Sequence, residues 1–221
     1  MYFDIHTMQV VILIRKCYLW NMGKEPGSRE KTIIAAAKLL RRRGYQGTAL
    51  NDILDAGGAP RGSLYFHFPQ GKEEIGEAAL TMAGEAVRQA IAGAAQTSAT
   101  MEVFLVRIAR GMAADLMNSG FTEGCPIATT ALETADHSDV LGAASRTAFQ
   151  KWENEIKRGL ERFAMTPEDA GAVSIAVLSQ LEGALLLART YRDLEPLNRA
   201  EQAIVLLAKN MSASEPKSQF K

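Results

Sequence analysis

Glu133 and His137 stand four residues apart, with Asp136 and Asp139 beside them, a spacing that could turn a carboxylate and an imidazole to one helix face as part of a metal site. A polar helix end with a capping aspartate explains the same letters. Cys125, just before Pro126, is a candidate redox or thiol sensor, yet no basic residue stands beside it to lower its pKa, which favours a small buried residue instead. Gly71-Lys72 fails as a nucleotide-binding loop, because Phe66 stands where the first glycine is needed and Glu73 where a serine or threonine is needed. With no GxSxG, HExxH or GxGxxG pattern, the expectation is a protein that is not an enzyme, with no catalytic residue, metal or cofactor.

Charge is the stronger signal. The 221 residues carry 25 Lys+Arg against 25 Asp+Glu, a formal charge of zero, and 47% hydrophobic residues, which excludes a disordered polyelectrolyte. Divided by position, the sum separates: residues 24–72 hold nine positives against four negatives, a net of +5, residues 1–23 add +1, and residues 73–221 carry −6. A solvated charged face explains many such runs, but this excess coincides with a series of short helices, and a phosphate-binding surface explains it better. Cys17 and Cys125 lie far apart with no CxxC, so the expected compartment is a reducing cytoplasm.

The elements that must position these residues are helical. Ser28 is a plausible N-cap for a first helix carrying Ile33, Ile34, Ala37 and Leu40, closed by Arg41-Arg42-Arg43-Gly44. Thr48 is placed to cap a second through Leu50, Ile53 and Leu54, ending at Gly57-Gly58. Pro60 then opens a short third helix over Arg61 to Phe66, which Pro69 stops, with Leu64, Phe66 and Phe68 expected in the core. Three helices with a tight glycine turn are a helix-turn-helix pattern. Longer helices follow at Lys72 to about Gln96, Ala99 to about Asn118, Cys125 to Ala135 behind Pro126, and from Ser138 or Asp139 through Phe163. Two more begin at Thr166-Pro167 and at Pro196. No strand is evident after Met22.

The run Val10 to Ile14 is too short to cross a bilayer, and the charges around it do not suit a signal peptide, so no membrane partner is expected. Residues 1–23 read as an extension, from an early start codon or as a short element packing on a partner chain; 24–72 as the helix-turn-helix domain; 73–211 as the body; 212–221 as a tail. The helix from Pro167 is apolar on most sides and the final one carries a broad apolar patch at Ile204 to Leu207, together more than one small bundle must bury. A symmetric partner covering them as a four-helix contact is one resolution, and burial within the monomer's own core is the other.

The sequence Thr48-Ala-Leu-Asn-Asp-Ile followed by Gly58-Ala-Pro-Arg-Gly-Ser-Leu-Tyr-Phe-His-Phe68-Pro-Gln-Gly-Lys-Glu-Glu resembles the DNA-binding domain of TetR-family transcriptional regulators over about Ser28 to Leu80. The Ala-Pro-Arg-Gly-Ser turn, the Pro-Gln-Gly-Lys-Glu-Glu link and Gly124-Cys-Pro-Ile-Ala-Thr-Thr-Ala-Leu-Glu-Thr-Ala135 resemble the subgroup containing multidrug- and flavonoid-responsive repressors. The resemblance implies an all-α homodimer. An N-terminal three-helix helix-turn-helix domain would bind a palindromic double-stranded DNA operator, and a C-terminal helical domain would bind a small-molecule effector and dimerise. Arg61, Gly62 and Ser63 would open the recognition helix, with Arg61 reading guanine. Thr48, Tyr65, His67 and Lys72 match phosphate-contacting positions, with a half-core place for the amphipathic Tyr65 ring as the lesser alternative. Pro60 departs from the usual Ser or Thr at this turn. Different classes that the same letters allow are an activator and a helical small-molecule-binding protein with no DNA role. An effector pocket among the long helices would draw on Met101, Phe104, Leu105, Ile108, Met112, Phe121, Phe149, Trp152 and Gln180, each of which also reads as ordinary core packing.

Overall fold

The computed structural model describes residues 26–60, 62 and 64–212, so the N-terminal extension, Arg61, Ser63 and residues 213–221 lie outside the described residues. Among the described residues the structure is all-helical: α1 Ser28–Arg43, α2 Leu50–Gly57, α3 Leu64–His67, α4 Lys72–Thr97, α5 Met101–Asn118, α6 Pro126–Thr134, α7 Asp139–Arg162, α8 Pro167–Tyr191 and α9 Glu195–Ser212.

Several starts follow from local chemistry. Thr100, Ser138 and Thr166 each accept a hydrogen bond from the backbone N–H three residues on, and Pro126 and Pro167 occupy first-turn positions where a missing N–H costs nothing. Two expected caps are different. The N-cap of α1 is Gly27, with Ser28 already helical, and the N-cap of α2 is Ala49. Thr48 instead turns its hydroxyl back to donate to the Gly44 carbonyl at 2.7 Å, and the residue is fully buried. Its role is to lock the turn between α1 and α2.

The head, α1 to α3, closes over Ile33, Ala36, Leu40, Ile53, Leu54, Leu64 and Phe68. Phe66, expected in that core, is 84% exposed, because a helix as short as α3 can bury one side only and Leu64 and Phe68 take it. In the body α4 lies along α7, α8 packs on α7 and α5, and α9 runs back across α8 and α5. Gly84 lets α7 come close: an added Cβ there would meet Ala148 at 2.9 Å, while the Trp152 indole N–H donates to the Gly84 carbonyl at 2.7 Å. Gly159 likewise leaves room for the Phe104 ring. Helix α8 is long and apolar enough to cross a membrane by length and composition alone, but it is packed against three helices of the bundle.

Candidate DNA-reading face and effector cavity

On the head, Tyr65 is 69% exposed and Phe66 carries the T-shaped edge of His67, with ring centroids 5.1 Å apart. Gly62 is exposed beside them. Lys72, the first residue of α4, sets its ammonium 4.1 Å from the centre of the Tyr45 ring, and partial burial lowers its pKa. Gly62 and Tyr65 are thus exposed and His67 and Lys72 partly so, whereas the Thr48 hydroxyl is turned inward.

The triple arginine at the end of α1 does not present a uniform basic surface. Arg41 pairs with Asp115, lies 3.6 Å from the Glu123 carboxylate and donates through Nε to the Gly124 carbonyl at 3.1 Å. Arg42 lies 3.7 Å from Glu123, and Arg43 pairs with Asp52 at 3.0 Å. Two of the positives counted toward a phosphate-binding head are thus turned into the acidic body, which corrects the charge reading. The linear count could not register that their partners stand more than seventy residues away. The same end of α1 receives further bonds from the body. Gly124 N–H donates to the Arg41 carbonyl at 2.9 Å, Arg189 to the Arg42 carbonyl at 2.9 Å, and the Thr129 hydroxyl to the Leu40 carbonyl at 3.3 Å.

Glu133 takes part in this junction. It accepts from the Gln46 N–H at 2.8 Å and lies against Gly44, whose φ of 72° and missing Cβ make room for the carboxylate. His137 pairs with the exposed Asp136 at 2.5 Å. No group of three metal-ligating side chains occurs among the described residues.

Beneath the junction lies a cavity of about 100 Å³, bounded by α4, α5, α6, α7 and α8 and reached by Arg41 of α1. Its walls are apolar, with Val87 and Ile91 of α4, Ile108 and Met112 of α5, Trp152 and Ile156 of α7, and Leu181 and Leu185 of α8. Its polar groups are Arg41, Asp115, Glu123, Cys125 and Glu182. Of nine residues named as pocket candidates, Ile108, Met112 and Trp152 line it. Phe149 stands behind, edge-on to Trp152 at 5.4 Å. Met101, Phe104 and Leu105 are core: Phe104 sits in the space left by Gly159 beside Phe163, and Met101 is at the far end, where it accepts from Ser212. Phe121 occupies the turn after α5 at φ 62°, with its N–H bonded to the Leu116 carbonyl. Gln180 is exposed on the opposite face of α8, in a shallow groove shared with α9.

The cavity also contains Glu182, which sequence reasoning missed, near Cys125, which it expected to be buried. Cys125 is buried, its sulfur caps α6 by accepting the Ala128 N–H at 3.4 Å, and it lines the cavity together with Glu182. Burial pushes the thiol pKa well up and the Glu182 pKa up to about 7, with the neighbouring Cys125 thiol opposing the latter. The one charged residue inside the largely apolar stretch Val173 to Ala188 was the available signal.

Residues 33–79 match the family described as bacterial regulatory proteins, tetR family, and residues 103–203 match the LmrA/YxaF-like C-terminal domain of transcriptional regulators. The HTH-type transcriptional regulator YxaF of Bacillus subtilis is 34% identical over 189 residues, covering 85% of this chain and 99% of that protein. The chain belongs to the TetR family. Its similarity to the HTH-type transcriptional regulator LmrA of the same organism is 32% over 182 residues, covering 82% and 97% of the two chains. A TetR transcriptional regulator from Chloroflexus aurantiacus superposes with a TM-score of 0.72 at 28% identity, over 83% of this chain and 95% of that one. As a TetR regulator the chain is a DNA-binding helix-turn-helix protein and not a member of an enzyme family, and its body has the subgroup character that the Gly124–Ala135 segment implied.

Proposed function

We propose that this TetR regulator is a cytoplasmic repressor that binds a palindromic operator as a homodimer and releases it when a small apolar or aromatic molecule enters the body cavity. The observation that carries this reading is Arg41. It belongs to the first helix of the head, yet it lines the cavity and is bonded to Asp115 and Gly124 at its rim. A ligand that moves α5 or the segment before α6 therefore acts on the head directly. By population shift it would favour a head separation that no longer fits successive major grooves.

In this reading Arg61 reads base edges, Gly62 and Ser63 let the recognition helix approach the groove, and Tyr65, His67 and Lys72 hold phosphates. Thr48 acts through the turn that it locks. Dimerisation through α8 and α9 is supported by the apolar side chains that they leave outside: Ile175 at 47% exposure, Leu186 at 61%, Tyr191 at 63% and Leu206 at 60%. Gel-shift competition on DNA upstream of the gene tests the first part. Arg61→Ala should erase operator preference, and Lys72→Ala should weaken all DNA binding and reduce its salt slope by about 1. Unchanged preference in Arg61→Ala would refute the base-reading assignment, and a monomer in sedimentation at micromolar concentration would refute the dimer.

A further inference from the structure

The described surface and interior offer three features beyond the reading above: the groove between α8 and α9, the buried Cys125, and the carboxyl of Glu182. The groove lies on the face already assigned to the second copy. The Cys125 sulfur is covered and caps α6, and burial holds the thiol in its unreactive form. Glu182 is different. Its Oε1 is inaccessible to solvent and meets no hydrogen-bond partner, and the residue lines the cavity.

An unpaired carboxylate oxygen in a largely apolar chamber costs stability that the rest of the fold must offset. Such a group persists where something else supplies the missing partner. The other charges around the chamber narrow what that partner is. Arg41 is the one cation on its lining, and it is already engaged by Asp115 and Glu123, so an anionic ligand would find no unengaged positive group and would face three carboxyls. The indole N–H of Trp152 is given to Gly84, which leaves ring surface as what Trp152 offers. The remaining wall, from Val87 to Leu185, is hydrocarbon and thioether.

We propose that the cavity takes a small, ring-bearing amine in its protonated form, with Glu182 as counter-ion and Trp152 with the aliphatic wall covering the ring. This rests on the ligand-responsive reading and specifies its effector class. A cavity of about 100 Å³ is somewhat smaller than the engineered cavity of roughly 150 Å³ that admits benzene. Even one aromatic ring with a short amine arm therefore requires Met112 and Ile108 to repack, which makes it the smallest probe of the class to use. The Glu182 pKa near 7 adds a signature. An amine that stays protonated between pH 6 and 8 gains its partner charge as the pH rises through that range, while Arg41, Asp115, Glu123 and Cys125 surround the site throughout.

The test uses the full chain and three isosteric probes, benzylamine, benzyl alcohol and benzoate, followed by thermal shift and by NMR or calorimetric titration at pH 6 and pH 8. The expected order at pH 8 is amine, then alcohol, then carboxylate, with the amine at least about tenfold ahead and its lead shrinking several-fold at pH 6. Glu182→Gln should remove the amine's lead over the alcohol. Because the ranking is measured on the wild-type chain, the proposal can be overturned without any variant. Equal binding of amine and alcohol, or preference for benzoate, would overturn it, as would an amine lead that survives in a folded Glu182→Gln. If the alcohol binds and weakens operator binding in a gel shift while the amine shows no lead, the amine class fails and the ligand-responsive reading stands. If none of the three binds, both fail.

Discussion

In the head, Tyr65 and Phe66 stand 69% and 84% exposed, while in the body the polar groups of the cavity are covered by five helices and Glu182 Oε1 has no partner. One region places apolar rings in water and the other places a carboxyl out of it. Each placement is unfavourable for the isolated chain and becomes favourable against something added: a surface with edges and phosphates outside, a charge or donor inside. The difference teaches that the head can lose its exposed groups at little cost to folding, whereas nearly every change in the body alters stability as well as recognition.

Breaking the junction between the two regions should have the largest effect. Arg41→Ala leaves Asp115 and Glu123 without their guanidinium in a mostly buried setting and should cost about 3 kcal/mol in urea unfolding. A loss below about 1 kcal/mol would mean that head and body are only loosely joined. Gly159→Ala comes next, because its methyl would overlap the Phe104 ring and force α7 away from α5, at about 2 kcal/mol by thermal melting.

Glu182→Gln should move the other way. The folded-state pKa of Glu182, about 7, lies above the ordinary carboxyl value of 4.5, so the folded chain holds a proton that the unfolded chain has released between those values. The contribution of Glu182 to stability is therefore fully present below pH 4.5 and is lost as pH rises through 7. The amide variant should accordingly be more stable than the wild type by about 3 kcal/mol at pH 8 and should match it near pH 4. A difference that does not change with pH would remove the titration from the comparison. Smallest is Phe66→Ala, which should alter stability by no more than about 0.5 kcal/mol. A larger loss would show that Phe66 is covered in solution and that the head is less open than its geometry indicates.

The two regions were unequally legible in the amino-acid sequence. Thr166-Pro167, Ser138 and Pro126 announce helix starts because cap and first-turn chemistry is local. The helix-turn-helix was legible for the same reason: its residues fall within one short stretch. Phe66 was misread because four residues of helix give no period from which to choose a face. Gln180 was misplaced because α8 is apolar nearly all round, so nothing local tells the cavity side from the outer side. The cavity itself joins residues from six helices, and Arg41 reaches it across more than seventy residues of chain. Its composition could be guessed from the supply of methionines and aromatics, but its membership depends on helix rotation that only packing decides.

The last turn of α1 is completed by Gly124, Thr129 and Arg189, which satisfy the carbonyls of Arg41, Leu40 and Arg42. Evolution or an engineer exchanging operator specificity between relatives cannot therefore cut at the start of α4 and splice in a foreign head. The functional boundary and the folding boundary do not coincide. A graft that keeps its own α1 but loses these three donors should arrive with a frayed helix end and a stranded guanidinium, so a workable exchange carries the segment 122–129 and Arg189 along with the head.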